Sequence, residues 1–92
     1  MLIRSQDKEI LINLDRITTI AKSKDNCIIV TESPMSRLDK ILLVGKYSTR
    51  EKALKVLDMI DEFHYQYINT QNPTHNEITL TVFQIPQDNE VR

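Results

Sequence analysis

In 92 residues the chain has one glycine, one cysteine, three prolines and no tryptophan, and each scarcity excludes a class of chemistry. The lone Gly45 rules out the phosphate-cradling loops that need several glycines at fixed spacing. The lone Cys27 rules out an internal disulfide and any zinc site built from several cysteines. The aliphatic run Ile41-Leu42-Leu43-Val44 falls far short of the ~18 residues that span a bilayer, so no membrane role is expected. Charge of one sign is missing too: twelve basic against thirteen acidic residues leave a net charge of -1, which does not mark a nucleic-acid binder. The few aromatics, Tyr47, Phe63, Tyr65, Tyr67 and Phe83, provide no base-stacking platform beyond what a core and a helix already use. With 40% hydrophobic and 27% charged residues, the length fits one small domain.

The order of residues predicts an α+β domain. Leu2–Ser5 and Ile10–Ile12 read as strands around the polar turn Gln6-Asp7-Lys8-Glu9, and Asn13-Leu14-Asp15 as a corner. Arg16–Lys22 and Cys27–Thr31, rich in β-branched residues, follow as strands separated by Lys24-Asp25-Asn26. Pro34 prevents the ladder from continuing through Glu32–Leu38, and Asp39–Lys46 gives another strand. Ser48-Thr49-Arg50-Glu51 matches a capping box. Behind it, Ala53, Val56, Leu57, Ile60, Phe63, His64 and Tyr67 recur at helical spacing. The expected architecture is a mainly antiparallel sheet of about five strands, one long amphipathic helix at about 48–67, and a C-terminal strand at about 77–85. Residues 1–47 form the β-rich part, 48–68 the helix, 69–76 a flexible connection, 77–86 the last strand and 87–92 a tail. Glu77-Ile78-Thr79-Leu80-Thr81-Val82 alternates at period two, and Val82-Phe83 breaks that alternation, suggesting a bulge or a contact on both faces.

Ile10-Leu11-Ile12, Cys27-Ile28-Ile29-Val30 and Ile41-Leu42-Leu43-Val44 place apolar side chains on both faces of their strands. One helix shields one face of a sheet. The other needs a curl into a partial barrel, a terminal strand folded across it, or a second copy of the chain. A homo-oligomer is the favoured expectation, a dimer first, because the connection at 69–76 has no aliphatic anchors and permits strand exchange.

Catalytic constellations are sparse. Cys27 on a strand, His64 on the helix and His75 in a loop do not have the spacing of a zinc site. Cys27 reads as a small buried hydrophobe, His64 as a residue at the edge of the apolar stripe, and His75 as a solvated loop residue. Ser5-Gln6-Asp7-Lys8 formally matches a serine–lysine nucleophile pattern, but that chemistry places its serine at a helix start. Asp58, Asp61 and Glu62 fall on the polar face of the helix, where surface charge is the default. No catalytic residue, metal site or cofactor is expected. Residues 1–47 carry eight basic and six acidic side chains, against four and seven in 48–92. Arginine's planar fork suits phosphate groups, so a small anionic ligand would be held by Arg4 and Arg16, with Arg37 and Lys46 second. A subunit interface is one way to bring them together.

Three blocks resemble a family of short, largely uncharacterised proteins of Gram-positive bacteria and their phages and prophages. They are the opening Met1-Leu2-Ile3-Arg4-Ser5-Gln6-Asp7-Lys8, the stretch from Gly45-Lys46-Tyr47-Ser48 to Asp58-Met59-Ile60, and the ending Val82-Phe83-Gln84-Ile85-Pro86-Gln87-Asp88-Asn89-Glu90-Val91. The likeness does not extend to Glu32–Leu38 or to the connection after Tyr67. It implies a phage or mobile-element context and supplies no catalytic residues. The resulting expectation is a non-enzymatic, self-associating accessory protein in the bacterial cytoplasm. It would counter or modulate host machinery by stoichiometric binding, either covering a host protein or sequestering a small nucleotide-like ligand. The alternative is a protein–protein interaction module with no small-molecule pocket.

Overall fold

A computed structural model describes residues 1–32, 40–70 and 82–92. Six strands and one helix follow in the order β1 (Leu2–Arg4), β2 (Leu11–Asn13), β3 (Ile17–Lys22), β4 (Cys27–Glu32), β5 (Lys40–Lys46), α1 (Arg50–Thr70) and β6 (Val82–Gln84). Short 3-10 turns at Leu14–Arg16 and Asp88–Glu90 complete the described chain. The α+β class is as expected, but the strands do not form one sheet. They divide into two sheets of three, β2-β1-β6 and β3-β4-β5. Pairing is antiparallel except between β1 and β6, which run parallel. Among the described residues no helix is long and apolar enough to cross a membrane.

The first sheet alternates cleanly. Ile12, Ile3 and Phe83 form one buried cross-strand row, while Leu11, Arg4 and Gln84 face outward in the next. Val82-Phe83 therefore continues the regular register with Leu2-Ile3, and the expected bulge is absent there. Bulges occur instead in the second sheet. Between Ile17↔Glu32 and Thr19↔Thr31 the register slips by one, leaving Thr18 as the extra residue, and its hydroxyl donates to the Thr31 carbonyl at 3.0 Å. Ile17 and Ile20, three apart, consequently both pack against the core. A second slip, between Ile28↔Gly45 and Ile29↔Leu43, leaves Val44 extra.

That second bulge is where the sheets meet. The Val44 carbonyl accepts from the Gln6 amide at 2.7 Å. The Gln6 side chain then pairs with Lys46 as a peptide unit would: its Oε1 accepts from the Lys46 amide at 2.9 Å and its Nε2 donates to the Lys46 carbonyl at 3.1 Å. The same Nε2 donates to the Pro86 carbonyl at 3.1 Å, which also accepts the buried Tyr47 hydroxyl at 2.7 Å. Burial holds the Tyr47 phenol well above its ordinary pKa, and the carboxylates of Asp88 and Glu90 push in the same direction, so it remains a donor. The core between the sheets and the helix centres on Ile3, Ile28, Val30, Val44, Val56 and Ile85.

The helix begins at Arg50, not at the capping box expected from Ser48. Thr49 is the cap, its Oγ1 accepting from the Lys52 amide at 3.2 Å, because Ser48 is committed elsewhere: its amide and hydroxyl both donate to Asp88 Oδ1. At the other end the helix runs to Thr70, past the expected 67. The stretch 77–81 of the expected last strand lies outside the described residues, as do residues 33–39 and most of the expected connection.

Gly45 is required by contact and not by backbone angle. A Cβ at this position would lie 2.9 Å from Ile85 Cγ2 and 3.1 Å from Tyr47 Cε2. Gly45→Ala is expected to lower unfolding free energy by about 1–3 kcal/mol, the range for forcing an extra carbon into a packed core. Urea denaturation of the two proteins measures it, and equal midpoints would refute the contact.

Candidate functional site

Leucine and isoleucine side chains create a cleft of about 500 Å³ between β3 and α1. Its floor comes from Ile17 and Ile20 on β3, Leu14 before it, and Leu57 and Ile60 on the helix. The bulge at Thr18 is what turns both isoleucines the same way. On the helical wall, Asp58, Asp61 and His64 follow Leu57 and Ile60 around the turn and form a polar rim. The rim is acidic: no lysine or arginine lines the cleft, and Asp58 and Asp61 are exposed with no ion pair among the described residues. Such a cleft is suited to an apolar group bearing positive charge.

Of the four residues expected to hold an anion, three are described, and Arg16 shares no cleft with Arg4 or Lys46. Arg4 is exposed at the end of β1 and its Nε donates to the Lys8 carbonyl at 3.1 Å, folding it back on its own hairpin turn. Arg16 lines a separate cleft of about 290 Å³ with Ile10, Leu11, Ile12, Asn13, Glu32 and Leu42, which contains neither Arg4 nor Lys46. Lys46 is exposed and its main chain is engaged by Gln6. Arg37 lies outside the described residues, as does His75. Cys27 is buried and free, its thiol 3.7 Å from the Asp25 carbonyl, in keeping with its reading as a small hydrophobe. Among the described residues no group of three His, Cys, Asp or Glu side chains converges to hold a metal ion.

A second feature lies on the opposite face of the β3-β4-β5 sheet. Cross-strand partners share a face, so Ala21, Ile29 and Leu43 form one row and Thr19, Thr31 and Ile41 the next. These rows point away from the buried Ile28 and Val30. Ile41 is 63% exposed and Leu43 55%, high values for large aliphatic side chains. The two-sided apolar pattern read from β4 and β5 is therefore real, and its outer side is uncovered among the described residues.

Sequence reasoning missed the cleft. It assigned Asp58 and Asp61 to solvated surface and His64 to the margin of the core stripe, without seeing that a bulge on β3 leaves a hollow beside them. The available signal was spacing: Leu57, Ile60 and His64 share one helical face, with Asp58 and Asp61 flanking it.

Comparison of the chain with protein-family models, with curated proteins and with solved structures finds no match.

The helical wall of the cleft is anchored at its N-terminal end by Asp88. Lys52 Nζ donates to the Asp88 carbonyl at 3.0 Å and lies 3.4 Å from Oδ2, and Lys55 donates to the Arg92 carbonyl. The Ser48 amide bond, with help from the Ser48 hydroxyl and the Lys52 ammonium, holds the Asp88 carboxyl below its ordinary 3.8 despite partial desolvation. Asp7 is lowered as well, by the Ser5 hydroxyl at 2.5 Å and the Glu9 amide at 3.0 Å. A carboxyl with a lowered folded pKa stabilises fully above its unfolded value and loses that contribution as pH falls through the folded one. The Tm gap between the parent chain and Asp88→Ala should therefore be constant at neutral pH and shrink below pH 3.8. A gap that widens on acidification contradicts this role.

Proposed function

We propose that the chain is a non-enzymatic, self-associating binding protein of phage type, acting by stoichiometric contact in the bacterial cytoplasm to counter or modulate host machinery. The observation that carries the reading is the aliphatic face of β5, uncovered among the described residues, where Ile41 and Leu43 stand beside Ile29. Fully burying a leucine or isoleucine contributes about 1.5–3 kcal/mol, so a second copy placed on this face gains substantially from a small contact. The face is Thr-flanked, and β5 ends its sheet among the described residues, which suits an isologous dimer. The phage context rests on the resemblance of both chain ends and the helix to short phage and prophage proteins.

Of the two modes of action, covering a host protein is better supported than sequestering a nucleotide-like ligand. The larger cleft is apolar with an acidic rim, opposite in charge to what a phosphate requires, and Arg4, Arg16 and Lys46 are dispersed. Anion capture would need these side chains to meet across subunits.

Light scattering at micromolar concentration is expected to give twice the single-chain mass. The double variant Ile41→Lys, Leu43→Lys should give the single-chain mass, with an unfolding midpoint below the parent's that no longer depends on protein concentration. A parent chain that runs at single-chain mass at ~100 μM, weaker than about 5 kcal/mol of association, refutes self-association.

A further inference from the structure

We propose that the cleft between β3 and α1 is a docking groove for an extended peptide of a partner protein that alternates apolar and basic side chains and adds to the outer edge of β3. The proposal rests on the reading of the chain as a binding protein, but not on its self-association.

Three observations support this occupant. First, β3 ends its sheet: among the described residues its one strand neighbour is β4, so its other edge faces the cleft. An exposed strand edge beside a helix is where peptides dock by strand addition, main-chain hydrogen bonds giving affinity and alternate side chains giving selectivity. Second, the floor is aliphatic and half-buried. Ile17, Ile20 and Leu57 pack on the core from one side and are open to the cleft on the other. Third, the charge is one-sided. Asp58 and Asp61 stand at the rim without ion pairs among the described residues, and beside His64 no lysine or arginine among those residues lines the cleft.

In an extended peptide, side chains two apart face the same way and successive ones face opposite ways. A leucine or isoleucine directed onto Ile17, Ile20, Leu57 and Ile60 therefore leaves neighbouring positions for lysine or arginine to reach Asp58 and Asp61. His64, at the far end of the rim, adds a ring against which the peptide's stem methylenes can lie. Acidic peptides are repelled by the same two carboxylates. Selectivity thus comes from charge, and affinity from the floor and the strand edge.

The test is a fluorescence anisotropy titration of the full chain with a labelled peptide of alternating leucine and lysine, beside a leucine–glutamate peptide of equal length. The leucine–lysine peptide should bind about tenfold or more tightly than the leucine–glutamate one, and more weakly as salt rises. Asp58→Asn with Asp61→Asn, both at exposed helix positions, should lose about tenfold in affinity at an unchanged unfolding midpoint. Amide shifts on binding should centre on Thr18 and Thr19. Equal affinity for the two peptides, undiminished affinity in the double variant, or shifts centred on Ile41 and Leu43 would each overturn the proposal. Single-chain mass with intact peptide binding would defeat self-association alone, and a dimer that binds neither peptide would defeat the groove alone.

Discussion

The carboxamide of Gln6 joins two sheets that share no strand. β1 is already flanked by β2 and β6, so no strand can be added beside it, while β5 has β4 on one side and among the described residues no strand on the other. The contact is made by a side chain that imitates main chain, accepting from the Lys46 amide and donating to the Lys46 carbonyl. The Gln6 amide adds a bond to Val44, and the Gln6 carbonyl accepts from Gln87 Nε2 at 2.6 Å. Every polar group of this residue is therefore satisfied within the fold, which is the condition under which a polar joint rigidifies and does not weaken a small core. The Pro86 carbonyl, shared by Gln6 and Tyr47, ties the C-terminal segment into the same joint.

The two bulges translate that joint into surfaces. Because Val44 is extra, its carbonyl can point toward Gln6 while Gly45 stays against Ile85 and Tyr47. Because Thr18 is extra, Ile17 and Ile20 both face the helix, and the strand departs from it enough to leave a cleft. The outer face, with Ile41 and Leu43, and the acidic-rimmed cleft, with Asp58 and Asp61, are thus products of strand register. They lie on opposite sides of one three-stranded sheet. The proposed second copy and the proposed peptide would therefore occupy different faces.

What could be read in advance follows the range of each interaction. Strand positions and the helix are set by local pattern, and β3, β4 and β5 begin or end within a residue of where alternation and β-branching place them. The cap at Thr49 was legible as a cluster of Ser, Thr and Glu but not as a choice between Ser48 and Thr49, since that choice is made by Asp88, 40 positions away. The division into two sheets was not legible either. It depends on Gln6 meeting Lys46 and on β6 returning beside β1, and composition treats both glutamine and the short Val82-Phe83-Gln84 strand as unremarkable. The expectation that basic side chains would mark the site followed net charge by segment. Arg4 shows why this is weak: a side chain near the end of a strand finds its own turn before it finds a ligand.

Apolar pattern carries the proposed function. The surplus of aliphatics in β4 and β5 is met on one side by the core and left standing on the other, and this asymmetry supports a role in binding. Its geometry depends on the two sheets behaving as one body. Hydrogen exchange at the Lys46 amide tests that dependence directly. In the parent chain it should exchange with the slow amides of β4, and in Gln6→Ala about tenfold or more faster. A Lys46 amide that exchanges at the rate of an unprotected one in the parent, or that is indifferent to loss of the Gln6 side chain, would contradict the account.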